Sequence, residues 1–221
     1  MICADLFSNI PEGLRTTDSG LFALGIMDEH KVYDLPVIDN MGKYLGLISE
    51  DDILDMERPE DAIADDSCYV NDSAVLAGMH VYHAIQMMHE RKISVLPVVD
   101  ERNNYLGLIT RDAAMAAIYK LLYLDHPAGL VILEVNKNEY SMLELAKIVE
   151  SDNARILSCY VFSDPESARA EITLRINRED LSSIMAAFER FNYTVLASYA
   201  EDRAKNDTKD RFDLFMKYLN M

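Results

Sequence analysis

The sequence predicts an α+β protein made of two pseudo-symmetric units followed by a third unit of different pattern. Three observations carry this expectation. The run Leu35-Pro-Val-Ile-Asp-Asn-Met-Gly-Lys-Tyr-Leu-Gly-Leu-Ile48 returns as Leu96-Pro-Val-Val-Asp-Glu-Arg-Asn-Asn-Tyr-Leu-Gly-Leu-Ile109, with nine of fourteen positions identical at a constant offset of 61 residues. The residues upstream obey the same offset: Ala23-Leu24 matches Ala84-Ile85, Met27 matches Met88, and Glu29 to Val32 matches Glu90 to Ile93. Beyond Gly129 the repeat stops and a new alternation of strand-like and helix-like runs begins. An internal repeat means that one supersecondary unit occurs twice, and any ligand is expected to lie between the copies.

Each copy carries the same order of signals. Leu24 and Met27, and then Val81, Ile85 and Met88, recur at helical spacing. A short β-rich run follows, entering Pro36 or Pro97. The turns Asn40-Met-Gly42 and Glu101-Arg-Asn-Asn104 are rich in turn-forming residues. The run Tyr-Leu-Gly-Leu-Ile is a second strand that leads directly into a helix opening at Ser49 or Thr110. The unit is therefore helix, strand, strand, helix. The acidic stretch from Asp55 to Asp72 connects the copies as a solvated loop.

The helix from Arg111 to Leu124 is expected to end before Asp125-His-Pro-Ala-Gly129, where Pro and Gly mark a boundary. Leu130 to Val135 reads as a strand and Ser141 to Glu150 as a helix with Leu145, Ile148 and Val149 inward. Ala154 to Phe162 and Ala168 to Ile176 are strands, Glu179 to Phe191 a helix, and Tyr193 to Tyr199 a last strand. The order β-α-β-β-α-β is the ferredoxin-like pattern. From residue 201 a charged helix carries an apolar stripe of Phe212, Phe215 and Leu219, which something must cover. The expected boundaries are 1–66, 67–126, 130–200 and 201–221.

Bulk composition narrows the function. The 221 residues carry 38 acidic against 21 basic side chains, a net charge of −17. Nucleic-acid binding needs clustered Lys and Arg and is disfavoured, as is an anionic membrane surface. Cys3, Cys68 and Cys159 are far apart and odd in number, which fits packing thiols in a reducing compartment. No leader-like N-terminus and no apolar run of spanning length occurs, so a cytoplasmic protein is expected.

The duplicated helix, the Leu-Pro-Val-(Ile/Val)-Asp run and Gly-Leu-Ile-(Ser/Thr) entering a helix together resemble a tandem CBS-domain pair, or Bateman module, over about residues 1–124. The third unit resembles an ACT-like domain, and the whole order is similar to acetoin-utilisation-type CBS–ACT regulators. The resemblance implies a homodimer with adenosine-containing ligands, such as AMP, ADP, ATP or S-adenosylmethionine, in clefts between the repeats. The family's signature is Gly, two apolar residues, Ser or Thr, two further residues, then Asp. By resemblance, the hydroxyl and the helix-start amides face phosphate, and the carboxylate accepts from the ribose hydroxyls. A helix N-terminus suits an anion. The first copy matches as Gly46-Leu-Ile-Ser49-Glu-Asp-Asp52. The second, Gly107-Leu-Ile-Thr110-Arg-Asp-Ala113, has alanine in place of the carboxylate, and Asp112, one residue earlier, is rotated by about 100°. Arg111 is a candidate for phosphate charge. Backbone around Tyr33, Leu35 and Pro36, with its counterpart Ser94-Val95-Leu96, is implied to line a purine pocket.

A ligand-free account fits the same residues. Ser49 with Asp52 three positions on is a capping box, and Thr110 caps a helix unaided. In the ACT-like unit the turn Asn136-Lys-Asn-Glu-Tyr140 lacks the glycine that amino-acid effectors usually accompany, so dimerisation is the better expectation there. His80 and His83 share helical spacing but have no third ligand beside them, which points to a polar helix edge rather than zinc. No nucleophile elbow, phosphate-cradling glycine loop or His-Glu-x-x-His run is present, so an enzyme is not expected. The leading expectation is a sensor that relays nucleotide occupancy to an unidentified protein partner. The alternative is a ligand-independent dimeric scaffold with closed clefts.

Overall fold

In the computed structural model, which describes residues 1–8, 13–63 and 73–200, the duplicated sequence gives a duplicated backbone. The first copy runs β1 (Leu14–Arg15), α1 (Gly20–His30), β2 (Asp34–Ile38), β3 (Tyr44–Ser49) and α2 (Glu50–Leu54). The second runs β4 (Val75–Leu76), α3 (Val81–Arg91), β5 (Val95–Val99), β6 (Tyr105–Thr110) and α4 (Arg111–Leu121). The helix–strand–strand–helix expectation is met, with one addition. The two-residue strands β1 and β4 each pair in parallel with the strand after the helix. Two residues cannot display a period, so the alternation that reveals longer strands does not reveal these.

Helix boundaries follow local chemistry. Ser19 accepts the Phe22 N–H at the start of α1, and His80 accepts the Tyr82 N–H through Nδ1 at the start of α3. Both helices stop at a lysine in the left-handed region, Lys31 (φ 55°) and Lys92 (φ 57°). The prolines sit where a missing N–H costs nothing. β1 pairs only with Val37 and Ile38, so Pro36 lies where β2 is still an edge, and Pro97 is placed likewise in β5. The hairpin turns are closed by Asp39 and Asp100, whose Oδ1 atoms accept backbone N–H groups two and four residues on. The hairpin tips of the two copies meet: Tyr44 N–H donates to Asn103 O at 3.0 Å and Tyr105 N–H to Gly42 O at 2.9 Å.

The copies share one core. Met27, Leu35, Val37 and Ile48 pack in the same cluster as Met88, Leu96, Val98 and Ile109. Neither half would bury its apolar face alone, which is the reason the repeat occurs as a pair. The N-terminal residues are built into the second copy rather than the first. A 3-10 turn at Cys3–Leu6 follows hydrogen bonds from Cys3 N–H to Met79 O and from Ala4 N–H to Ala77 O.

A second compact unit begins at Tyr119. It contains β7 (Gly129–Asn136), α5 (Met142–Ser151), β8 (Ile156–Phe162), β9 (Arg169–Ile176), α6 (Ser182–Arg190) and β10 (Thr194–Ala200). The sheet order is β10-β7-β9-β8, antiparallel throughout, which is the ferredoxin-like arrangement. Val131, Leu133 and Val135 alternate inward on β7 and pack with Leu145, Ile148 and Val149 of α5 and with Ile184, Ala187 and Phe188 of α6. Helix α4 ends at Leu121, earlier than Leu124, and Tyr123 takes a positive φ. The chain that follows is pinned by Arg175, which is buried. Its Nε donates to Tyr123 O at 3.2 Å and its Nη2 to His126 O at 2.7 Å, while Ser158 Oγ donates to Leu122 O. The expected helix over 201–221, with its Phe212, Phe215 and Leu219 stripe, lies outside the described residues.

Two glycines give opposite expectations. A Cβ on Gly129 would stand 2.6 Å from the Arg178 carbonyl oxygen and the Leu181 side chain. Gly129→Ala should therefore lower stability by about 1–3 kcal/mol through overpacking. Gly25 lies on the exposed side of α1 with nothing within 4 Å of a built Cβ. Gly25→Ala should raise stability by about 1 kcal/mol through helix propensity. Urea midpoints of the two variants check both signs.

Candidate functional site

A polar knot joins the two copies. Ser94 is only 4% exposed. Its N–H and Oγ donate to Asp34 Oδ2 at 2.6 and 2.7 Å, and its Oγ accepts the N–H groups of Tyr33 and Asp34 at 2.8 and 3.1 Å. Four hydrogen bonds thus tie the start of β2 to the start of β5. The knot fixes the two helix caps, because Asp34 is registered opposite Ser49 and Val95 opposite Thr110. The carbonyls of the same strand ends continue the frame: Tyr33 O accepts from Glu50 N–H, and Ser94 O from Arg111 N–H.

At the first cap, Ser49 and Asp52 form a closed capping box. Ser49 N–H and Oγ donate to Asp52 Oδ2 at 2.8 and 2.6 Å, and Asp52 N–H donates to Ser49 Oγ at 3.1 Å. All the carboxylate's contacts fall on Oδ2; Oδ1 accepts no hydrogen bond among the described residues. Asp52 is exposed and Ser49 half-buried. Helix α2 is only five residues long, so side chains and individual N–H groups, more than a macrodipole, define what this end can hold. Of the residues implied to line the purine pocket, Tyr33 is 58% exposed, whereas Leu35 and Pro36 are buried, Leu35 within the shared core.

The second cap is chemically different. Thr110 Oγ1 accepts from Ala113 N–H at 3.1 Å, as an N-cap should. The Thr110 N–H donates to Ser8 Oγ at 3.2 Å, and the Ser8 and Thr110 hydroxyls share a 3.1 Å hydrogen bond across 102 residues of chain. Arg111 turns to the end of α3, donating from Nε to Ile93 O and from Nη2 to Lys92 O. It satisfies two carbonyls just past the end of that helix. Ser8 is not legible in the sequence, because a contact between distant segments leaves no periodic trace. Ser94 could have been suspected, since at offset 61 it stands against Tyr33 and breaks the repeat at a strand entry.

In the ferredoxin-like unit a cavity of about 510 Å³ opens at the Asn136–Tyr140 turn. Glu134, Glu139 and Glu144 line it, and the basic residue among its lining, Arg169, is paired with Glu134. An amino acid's carboxylate would meet a negative wall there. Tyr193, also in the lining, donates to Glu144 Oε2 at 2.5 Å. Burial, then this hydrogen bond and the adjacent negative charge, push the Tyr193 hydroxyl from 10.0 up to about 12. Burial also pushes the Cys3 and Cys159 thiols up, as suits packing thiols rather than nucleophiles. Cys68 lies outside the described residues.

Two expected outcomes follow from these geometries. Ser94→Ala leaves the Tyr33 and Asp34 N–H groups without their acceptor. It should cost about 1–3 kcal/mol, and Asp34→Ala a similar amount, with the double variant clearly less than additive; urea denaturation of the three variants checks this. The folded pKa of Tyr193 lies above its unfolded value, so its contribution is present below about pH 10 and is lost as pH rises through about 12. In an alkaline titration followed by tyrosinate absorbance, Tyr193→Phe should remove a late-titrating group.

With the geometry in view, comparison with known proteins places the chain. A family model for the CBS domain matches residues 14–58 and 72–120. The chain is 29% identical over 113 residues to inosine-5'-monophosphate dehydrogenase from Methanocaldococcus jannaschii, covering 50% of this chain and 22% of that enzyme. It is 29% identical over 117 residues to homoserine O-acetyltransferase from Methanocorpusculum labreanum, covering 51% and 23%. The chain thus spans less than a quarter of the length of either relative. The likeness to the dehydrogenase runs through the CBS region. A CBS domain pair/ACT domain protein from Thermotoga maritima has the same fold over 55% of this chain and 99% of its own, with 20% identity and a TM-score of 0.50. The chain carries a tandem pair of CBS domains, residues 14–58 and 72–120, joined to a ferredoxin-like C-terminal unit.

Proposed function

We propose that this protein is a non-enzymatic, cytoplasmic regulator. In this reading it binds one adenosine-type nucleotide, of the AMP, ADP, ATP or S-adenosylmethionine class, at the Ser49/Asp52 cleft of its CBS pair. Occupancy is relayed to a protein partner. The observation that carries the reading is the exposed Asp52 carboxylate, engaged among the described residues through Oδ2, on a cap that the Asp34–Ser94 knot holds in place. A vicinal ribose diol would be accepted by that carboxylate, and the Ser49 hydroxyl would turn from Asp52 to phosphate. Opening the box costs about 0.5–2 kcal/mol, which a few charge-assisted hydrogen bonds exceed. Binding regulates only if the ligand prefers one of two conformations.

The second reading is a ligand-independent scaffold, favoured by the self-satisfied hydrogen bonds of both caps. A thermal-shift comparison separates the two. At 100 times its dissociation constant AMP should stabilise the wild type by about 2.7 kcal/mol. Asp52→Ala should abolish the shift. No shift with any adenosine ligand supports the scaffold.

The regulator is proposed to act as a homodimer. Large exposed apolar side chains recur at the repeat offset: Leu21 (56%) with Tyr82 (63%), and Leu54 (61%) with Met115 (64%). Such positions on all four helices suit burial against a second copy in a self-complementary interface. Leu54→Glu with Met115→Glu should convert the dimer to a monomer in sedimentation equilibrium. A wild type that is already monomeric sinks this part of the reading.

A further inference from the structure

The repeat places two caps at equivalent positions, yet the second is already occupied by the chain itself. Residues 2–8 run along the second copy, held by Cys3 N–H to Met79 O, Ala4 N–H to Ala77 O and Ser8 N–H to Leu108 O at 2.8, 3.1 and 2.9 Å. At the end of this segment Ser8 Oγ takes the Thr110 N–H and bonds the Thr110 hydroxyl. The ring of Phe7 lies against Gly107, where a built Cβ would meet it at 3.3 Å. The Thr110 hydroxyl is the group that the second copy of the motif would offer a ligand, and Ser8 and Phe7 cover the N–H and the glycine beside it. Ala113 withholds the carboxylate, so a ligand here would have less to gain than at Asp52 and more to displace.

We infer that the N-terminal segment is an autoinhibitory internal ligand of the Thr110 cleft. Ser8 substitutes for a phosphate or ribose oxygen, and Phe7 covers the glycine, so this cleft is shut to nucleotide while Phe7 and Ser8 are docked. The inference rests on the nucleotide-binding reading above. Cys3, fully buried in the shared core, anchors the start of the segment, so opening requires only the departure of Phe7 and Ser8 and leaves the fold intact. Phe7 is 43% exposed, so it is held less firmly than the buried Cys3.

Equilibrium dialysis with AMP tests this on five versions of the whole 221-residue chain. Wild type should take one AMP per chain and Asp52→Ala none. The double variant Phe7→Ala/Ser8→Ala should take two, and the triple variant with Asp52→Ala one. Ser8→Ala alone, which removes only a hydroxyl, guards against misfolding and should show intermediate occupancy of the second cleft. Two AMP per chain in the wild type, or one AMP in the Phe7→Ala/Ser8→Ala variant with none in the triple variant, overturns the closure. No AMP in the wild type but one in the opened protein overturns the Ser49/Asp52 reading while the closure stands. No AMP in any of the proteins overturns both.

Discussion

The hydrogen bonds between Asp34 and Ser94 are the constraint on which the CBS pair is arranged. They join Asp34, the first residue of β2, to Ser94, the residue just before β5, and each of those strands carries one helix cap on its hairpin partner. A buried serine that accepts two backbone N–H groups while donating to a carboxylate leaves little freedom for one copy to slide past the other. The hairpin tips pair independently around Tyr44 and Asn103. With both places fixed, the common core of Met27, Val37, Met88 and Val98 is closed in a single register.

That frame is symmetric, but the chemistry it presents is not. At offset 61 Ser94 stands opposite Tyr33, Ala113 opposite Asp52, and Arg111 opposite Glu50. Each substitution leaves the backbone unchanged while altering what the cap can bind. The first cap keeps a carboxylate at the surface; the second gives its arginine to a helix end and its threonine to Ser8. Duplication therefore supplies the scaffold at no extra design cost, and divergence at a few positions decides which groups each cap presents.

Much of the architecture was legible in the sequence because it is periodic. The offset repeat located α1, β2 and β3 and their mates, and the alternation over Leu130 to Val135 located β7 to within one residue at each end. Helix α5 began where Ser141 could cap it. What was missed has no period. Strands β1 and β4 are two residues long, α4 stops at Leu121 before its apolar pattern does, and Arg175 reads as one residue of a strand until its side chain is seen to pin the Tyr123 and His126 carbonyls. The candidate site divides in the same way. Ser49, Asp52 and Thr110 were recognisable from a local motif, whereas Ser8, Asp34 and Ser94 act through contacts between segments 60 or more residues apart.

In the proposed mode of action, one of two equivalent caps binds a nucleotide and the other is filled by the chain. A crystal structure of the protein grown with AMP tests it most directly. Nucleotide density is expected beside Asp52, with the ribose within hydrogen-bond distance of its carboxylate and Ser8 still bonded to Thr110. Density at Thr110 with Asp52 still closed on Ser49 would contradict it.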